Sequence, residues 1–240
     1  MSGVSARVLV AHQPAYAPWP GYFSRLLDGS DLVLLDHVAY SKGGWQNRNY
    51  IATAKGERLR LTVPVRAPHG QPIRAVQVAD PDFARRHWRT LLGSYRRSPY
   101  WPDWEPRLAP LFSRTWENLA SLNEELTRLL LDGLGLRGRV LRSSEIRPAG
   151  AKSAMLADLA DRTGASVLRV GEGARAYLDT ALLASRGITA EMASYRYPEG
   201  HEPGAGPLSV LDLLLHHGPQ ARSLVEAGAS VRPMAAEAGR

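Results

Sequence analysis

Near the N-terminus two apolar runs, VLVA at 8–11 and LVLL at 32–35, flank a loop rich in proline and aromatic residues and a short helical stretch. Residues 6–11 read as a buried strand, 21–27 as a helix and 31–36 as a second buried strand. That order is the signature of a βαβ unit, because parallel neighbours need a crossover and lie covered on both faces. The chain is therefore expected to be α/β, a mainly parallel sheet with flanking helices of the nucleotide-binding kind. Ligands of such sheets bind outside the carboxyl ends of the strands. His12 and the pair Asp36–His37 then belong on one edge.

The remaining pattern extends this plan. RLRLTVPV (58–65) and IRAVQV (73–78) read as strands, and residues 82–134 as a helical cap or insertion, interrupted by the Pro/Trp-rich SPYWPDWEP at 98–106. From Arg139 the alternation resumes: RVLR, a helix over 154–164, the strand SVLRV at 166–170, a helix from 174, ITAEM, and the helix LSVLDLLLHHG at 208–218. Residues 221–240 lose the pattern and are expected to form a flexible tail. The expectation is one α/β domain over 1–220 with an insertion at 82–134.

With 240 residues, 44% of them hydrophobic, the chain can bury a sizeable core. No apolar run reaches the length of a membrane span, and MSGVSARVLVAHQ lacks a secretory apolar stretch. The protein is expected to be cytoplasmic, with no membrane partner. It has no cysteine, which excludes disulfides, thiolate metal sites and a cysteine nucleophile. The net charge is +7, but the arginines are dispersed, with local clusters only in RRHW and YRRSPYW. Duplex DNA is not an expected partner; a tRNA-borne substrate stays open. Only Lys42, Lys55 and Lys152 are lysines, against 27 arginines. Lys42 and Lys152, inside polar motifs, mark positions that need a compact ammonium.

Three segments carry the candidate chemistry. In HQPAYAPWPGYF, prolines at 14, 18 and 20 stiffen a loop longer than a plain turn needs. A buried His or Gln requires a partner, so His12 is read as a general base or a substrate hydrogen bonder. SKGGWQNRN (41–49) gathers cations and planar amides that suit carboxylate, phosphate or amide groups. RSSEIRPAGAKS (142–153) lies between a strand and a helix, where hydroxyls, backbone N–H groups and Lys152 favour an anion. Its SSEIR resembles the Ser-Ser-Thr-x-Ile-Arg segment of nucleotidyltransferases, although their His-x-Gly-His spacing is missing. VGEGARAYLD (170–179) reads as a strand-to-helix turn with Tyr177 and Asp179 in the helix that follows. Asp212, amid leucines, needs a partner, and His216–His217 suit the helix dipole. The histidines lack the spacing of a helical metal site, so neither metal nor cofactor is expected.

Taken together, HQPAYAPWPGYF, SDLVLLDHVAYSKGGWQNRN, VPV, SSEI with its following lysine, GEGARAYLD and LSVLDLLLHHG are similar to the WbqC-like family, in family order across residues 8–218. The resemblance implies an enzyme of surface-polysaccharide or specialised-metabolite biosynthesis that attaches acyl or aminoacyl groups to amines. It carries over His12, Gln13, Tyr16, Trp19, Gly21 and Tyr22 from the first block. From the second come Asp36, Lys42, Trp45, Gln46, Asn47, Arg48 and Asn49, and from the later blocks Lys152 and Tyr177. The chain departs from the family at YPEGHEPGAGP and at its terminal LLLHHG, where His216 replaces an expected Asn.

The expected function is an acyl- or aminoacyltransferase forming an amide on a small amine, such as an amino sugar. Its donor would be an acyl or aminoacyl group, borne by a carrier protein or tRNA among other possibilities. His12 would take the amine's proton, with Gln13, Asn47 and Asn49 as oxyanion donors. Lys42, Arg48 and Lys152 would hold the donor's anionic group, and Ser143 or Ser144 would be the available acyl carriers. An ATP-dependent amide ligase or nucleotidyltransferase-like enzyme, and a non-catalytic metabolite- or carrier-binding module, are the alternatives.

Overall fold

A computed structural model describes residues 6–204 and 206–235 of the chain. It opens with β1 (Val8–His12), the short helix α1 (Pro20–Phe23) and β2 (Asp31–Leu34). Two small antiparallel pairs follow, β3 (Arg48–Ala52) with β4 (Arg58–Thr62), then β5 (Val65–Arg66) with β6 (Gln77–Val78). The helical insertion comprises α2 (Phe83–Tyr95), α3 (Trp101–Ser113) and α4 (Leu119–Gly133). The α/β alternation then continues through β7 (Val140–Arg142), α5 (Ser143–Ile146), α6 (Lys152–Thr163) and β8 (Val167–Gly171). It closes with α7 (Thr180–Ser185), β9 (Thr189–Tyr195), α8 (Val210–His217), α9 (Ala221–Gly228) and β10 (Ala229–Pro233).

Six strands form the central sheet in the order β10-β9-β8-β1-β2-β7, all parallel except β10. Successive side chains of a strand face opposite sides, and both faces here are buried. Val10, Leu32 and Leu34 join one apolar cluster with residues of the insertion and of α8 and α9, among them Leu91, Leu108, Leu126 and Leu214. Leu9, Val33 and Leu168 join the other, with Leu156, Leu159 and Leu183 from α6 and α7. The expected α/β architecture with a helical insertion is thus present. Among the described residues no helix is long and apolar enough to cross a membrane.

The structure corrects four local expectations. The Pro/Trp-rich stretch interrupts the helices only as far as Tyr100, because α3 begins inside it at Trp101. Pro102 sits in the first turn, where its fixed φ suits a helix. Pro106 and Pro110 lie on the exposed stripe while Trp104, Leu108 and Leu111 are buried, so apolar packing overrides two interior prolines. Arg48 and Asn49, read as the end of a recognition loop, open strand β3, and 58–65 splits into two strands. The helix expected from 174 starts at Thr180, capped by the Asp179 carboxylate accepting from the Leu182 N–H at 2.9 Å. Tyr177 therefore lies in a loop. Finally, 221–233 is no tail: α9 packs Ala221 and Val225 into the core, and β10 pairs antiparallel with β9. Its exposed side chains hid it from a search for apolar alternation, yet it covers the β9 edge. Residues 236–240 of the expected tail, and the first five of the chain, lie outside the described residues.

Burial of one imidazole gives the fold a pH dependence. His87 on α2 is buried and its Nδ1 lies 2.7 Å from the hydroxyl of fully buried Tyr16, a loop residue. Burial pushes the pKa of His87 down to about 4. The unfolded chain protonates this ring near its ordinary value of about 6.5 while the native one does not, so stability falls as pH drops from about 6.5 to 4. We expect this ring to contribute a loss on the order of 2 kcal/mol across that window, read as the difference in urea unfolding midpoints between the wild type and His87→Gln, whose pH profile should be flatter.

Candidate functional site

The chain runs from β1 outward through β2 to β7, then returns to the other side of β1 for β8 and β9. The strand order therefore reverses between β1 and β8, the position at which a crevice opens in α/β sheets. A cavity of about 510 Å³ lies there, at the carboxyl ends of β1, β2 and β8. Ala11 and His12 from β1, Leu35, His37 and Val38 beyond β2, and Val170 and Gly171 from β8 line it, together with Gly150–Lys152 and Tyr177. Its floor is apolar, including Met155, Leu156 and Ala174. Its charged and titratable side chains are His12, Arg25, His37, Lys152 and Tyr177, without a single carboxylate.

His12 is fixed by its own strand end. Its Nδ1 lies 2.8 Å from the Gln13 carbonyl, an acceptor only, so Nδ1 carries the proton and Nε2 presents a lone pair. The Tyr22 ring packs edge-on against the imidazole, 4.7 Å between centroids. Burial, and then the nearby Arg25 guanidinium, lower the His12 pKa to about 4, so the ring is neutral near pH 7. The buried Tyr22 hydroxyl, whose own pKa burial raises, has no hydrogen-bond partner among the described residues.

Arg25 is held from behind. Arg169, nearly fully buried on β8, donates through Nη1 to the Arg25 carbonyl at 2.9 Å and through Nη2 to Asp28 at 2.8 Å. Its Nε completes the cluster on Glu191 at 2.8 Å. With its backbone so placed, Arg25 runs over Gly171, where an added Cβ would lie 2.3 Å from a guanidinium nitrogen. Arg25 itself forms no ion pair among the described residues, and burial lowers its pKa.

Lys152 opens α6 with φ of +50°, a left-handed conformation that a non-glycine residue adopts at a cost of about 1 kcal/mol. No side chain caps this helix end. The first turn is tied to the opposite wall: Ser153 Oγ accepts from the Asp179 N–H at 2.9 Å and donates to the Tyr177 carbonyl at 3.3 Å. Tyr177 stands half-exposed at the mouth.

The other residues singled out from sequence are placed differently. Buried Asp36 accepts from the Ser143 hydroxyl at 2.9 Å and from the Ser144 N–H and hydroxyl at 2.8 and 2.6 Å. Ser143 also meets His37 Nδ1 at 2.5 Å. It is fully buried and saturated, a lock between β2 and α5 rather than an exposed acyl carrier. Tyr16 is core, and Trp19 packs edge-on against Tyr195. Gln13 accepts from Gln46 Nε2 at 2.6 Å. Asn47 donates to the Val63 carbonyl, and Asn49 to the carbonyls of Tyr16 and Ala17. Asn47 thus spends a side-chain donor on one backbone carbonyl and Asn49 on two, while Gln13 is held through its carbonyl oxygen. Arg48 bonds the Gly43 carbonyl; Trp45 is exposed beside Tyr50. Lys42 is exposed and lines no part of this cavity. The 41–49 segment is thus a seam that clamps the first loop, with Tyr16 N–H donating to the Trp45 carbonyl as well.

Sequence reasoning missed Arg25, whose only signal was its place one helical turn after Tyr22, and Met155. It placed His37 on the right edge without assigning it a role.

Residues 13–224 match the model of the WbqC-like protein family. A relative from Mycobacterium tuberculosis (strain ATCC 25618 / H37Rv), named "Uncharacterized protein Rv1507c", is 31% identical over 218 residues, covering 87% of this chain and 93% of that protein. No solved structure matches. With the family match spanning most of the chain, the protein belongs to the WbqC-like protein family.

Proposed function

We propose that this protein is an acyl- or aminoacyltransferase that forms an amide on a small amine, working in the cavity between β1 and β8. One observation carries the reading: a neutral histidine, its Nε2 without a hydrogen bond among the described residues, shares with Arg25 and Lys152 a cavity wall without carboxylates. Such a wall attracts a donor with an anionic group, and Arg25 is already desolvated to receive it. The amine nitrogen attacks the donor's acyl carbonyl, and His12 Nε2 takes the proton the nitrogen loses. The carbon–leaving-group bond breaks, and the leaving group departs as an anion held by Arg25 and Lys152 or takes that proton from His12.

The low pKa of His12 belongs to the ligand-free protein, where burial and Arg25 both oppose the imidazolium. An anion seated on Arg25 cancels the second effect and raises the pKa toward the range of an effective base. Donor binding and base strength are then coupled. Asn47, Asn49 and Arg48 take no part, because the backbone already holds them.

Calorimetry with coenzyme A, ATP, an aminoacyl-adenylate analogue and an uncharged pantetheine thioester tests the charge requirement. We expect an anionic member to bind, with at least tenfold weaker affinity in Arg25→Met and in Lys152→Met. Failure of every anionic donor to bind would overturn the reading, and ATP–pyrophosphate exchange would shift it to an ATP-dependent ligase. With a binding donor in hand, His12→Gln should lower kcat by about 10²- to 10⁴-fold with little change in donor affinity; unchanged turnover would remove His12 from the chemistry.

Gly171→Ala isolates the guanidinium. At φ of −88° alanine fits the backbone, and the new methyl displaces only the flexible end of Arg25. We expect about tenfold weaker anion binding with an unfolding midpoint within a few degrees of the wild-type value.

A further inference from the structure

A second cavity, of about 430 Å³, lies away from the sheet edge, between the β3–β4 hairpin, the end of α2 and α8. It shares no lining residue with the first. Ser98, Asp212 and His216 meet in its wall, joined by Arg97. The Ser98 hydroxyl lies 3.3 Å from His216 Nε2. On the far side of the ring, Nδ1 lies 2.9 Å from the Asp212 carbonyl and 3.5 Å from its carboxylate. The carbonyl can only accept, so Nδ1 holds the proton and Nε2 faces the serine as a base.

The third group is itself oriented. Asp212 accepts from the Tyr95 hydroxyl at 3.0 Å, and that oxygen accepts from the Ala52 N–H at 3.0 Å. The Tyr95 ring also packs against the imidazole, 5.7 Å between centroids. Ser98 is pinned through its backbone, its N–H donating to the Tyr95 carbonyl at 2.8 Å and its carbonyl accepting from Trp101 at 3.1 Å. A nucleophile thus lies within reach of a base whose ring is oriented by a backbone carbonyl, with a carboxylate 3.5 Å behind it, a relation recognised by geometry rather than by sequence order.

We infer that Ser98 is a nucleophile for acyl transfer, with His216 as its base, acting on small acyl esters or thioesters in this second cavity. Ala52, Ala54, Pro99 and Leu208 offer the acyl chain a short apolar wall. Ser98 Oγ attacks the acyl carbonyl and its proton passes to His216 Nε2. The imidazolium, facing Asp212, returns that proton to the departing alkoxide or thiolate, leaving an acyl-serine. Water attacks this ester with His216 again taking the proton, and release of the acid restores the serine hydroxyl. Arg97, without an ion pair among the described residues, lines the same cavity and supplies a cation for the developing oxyanion.

The test uses the full chain with a fluorophosphonate ester and, separately, p-nitrophenyl acetate. The expected result is one phosphonyl adduct on the peptide containing Ser98. It should be absent from Ser98→Ala and form at least 100-fold more slowly in His216→Ala, with ester hydrolysis falling in parallel. Because the adduct is mapped in the wild-type protein, the answer does not depend on the variants folding. No adduct in the wild type, or one that persists in Ser98→Ala, overturns the inference. Anionic donor binding in the first cavity is read independently, so either reading can fail alone.

Discussion

The buried guanidinium of Arg169 is the interaction on which the site depends. It lies on β8, at the centre of the sheet, and reaches two carboxylates from different parts of the chain, Asp28 and Glu191. A buried charge without such partners is strongly destabilising, so the loop after α1, the end of β8 and the start of β9 are held in one arrangement. The same group bonds the Arg25 carbonyl. The cluster that satisfies one arginine therefore also aims another into the cavity, and Gly171 supplies the clearance Arg25 needs. Arg169 is paired twice, Arg25 with no ion pair among the described residues; that contrast separates the structural arginine from the one that lines the cavity.

A second constraint is the seam between the first loop and the 41–49 segment. Three prolines limit the loop's own freedom, yet its backbone cannot join the sheet and its polar groups need partners. Asn49 supplies two of these bonds, to Tyr16 and Ala17, and Gln46 bonds Gln13. Asn123 of α4 in turn donates to the Gln46 carbonyl at 2.7 Å, which ties the seam to the helical insertion. Part of the amide density of 41–49 thus serves to hold the chain to itself.

This explains what the sequence can and cannot disclose. The parallel sheet was legible because β1 and β2 are apolar on both faces, and His12 because a histidine at a strand end is conspicuous. Lys152 stood out by its rarity beside 27 arginines. Arg25 did not, since one arginine among many carries no contrast until burial and missing partners are seen. The backbone partners of Asn47 and Asn49 were not legible, because an amide's identity does not say which way it faces. The helix α3 hid behind prolines that local propensity forbids and packing permits, and β10 behind its polar side chains. Ser98 and His216 are 118 residues apart, and no spacing rule connects them.

Both cavities set a histidine's tautomer by the same means. A backbone carbonyl, which only accepts, lies within 3 Å of Nδ1: that of Gln13 for His12, and that of Asp212, one helical turn back, for His216. The carbonyl cannot release its hold by changing protonation state, so Nε2 stays a base for as long as the backbone stays put. The difference lies in the charge beside each ring. The Asp212 carboxylate lies 3.5 Å from His216 Nδ1, whereas His12 faces Arg25, which opposes a proton. A base opposed by a cation becomes effective when an anion arrives to neutralise that cation. The first arrangement suits an acyl-enzyme that must form and hydrolyse by the same imidazole. The second suits a transferase that should stay idle until its donor is bound.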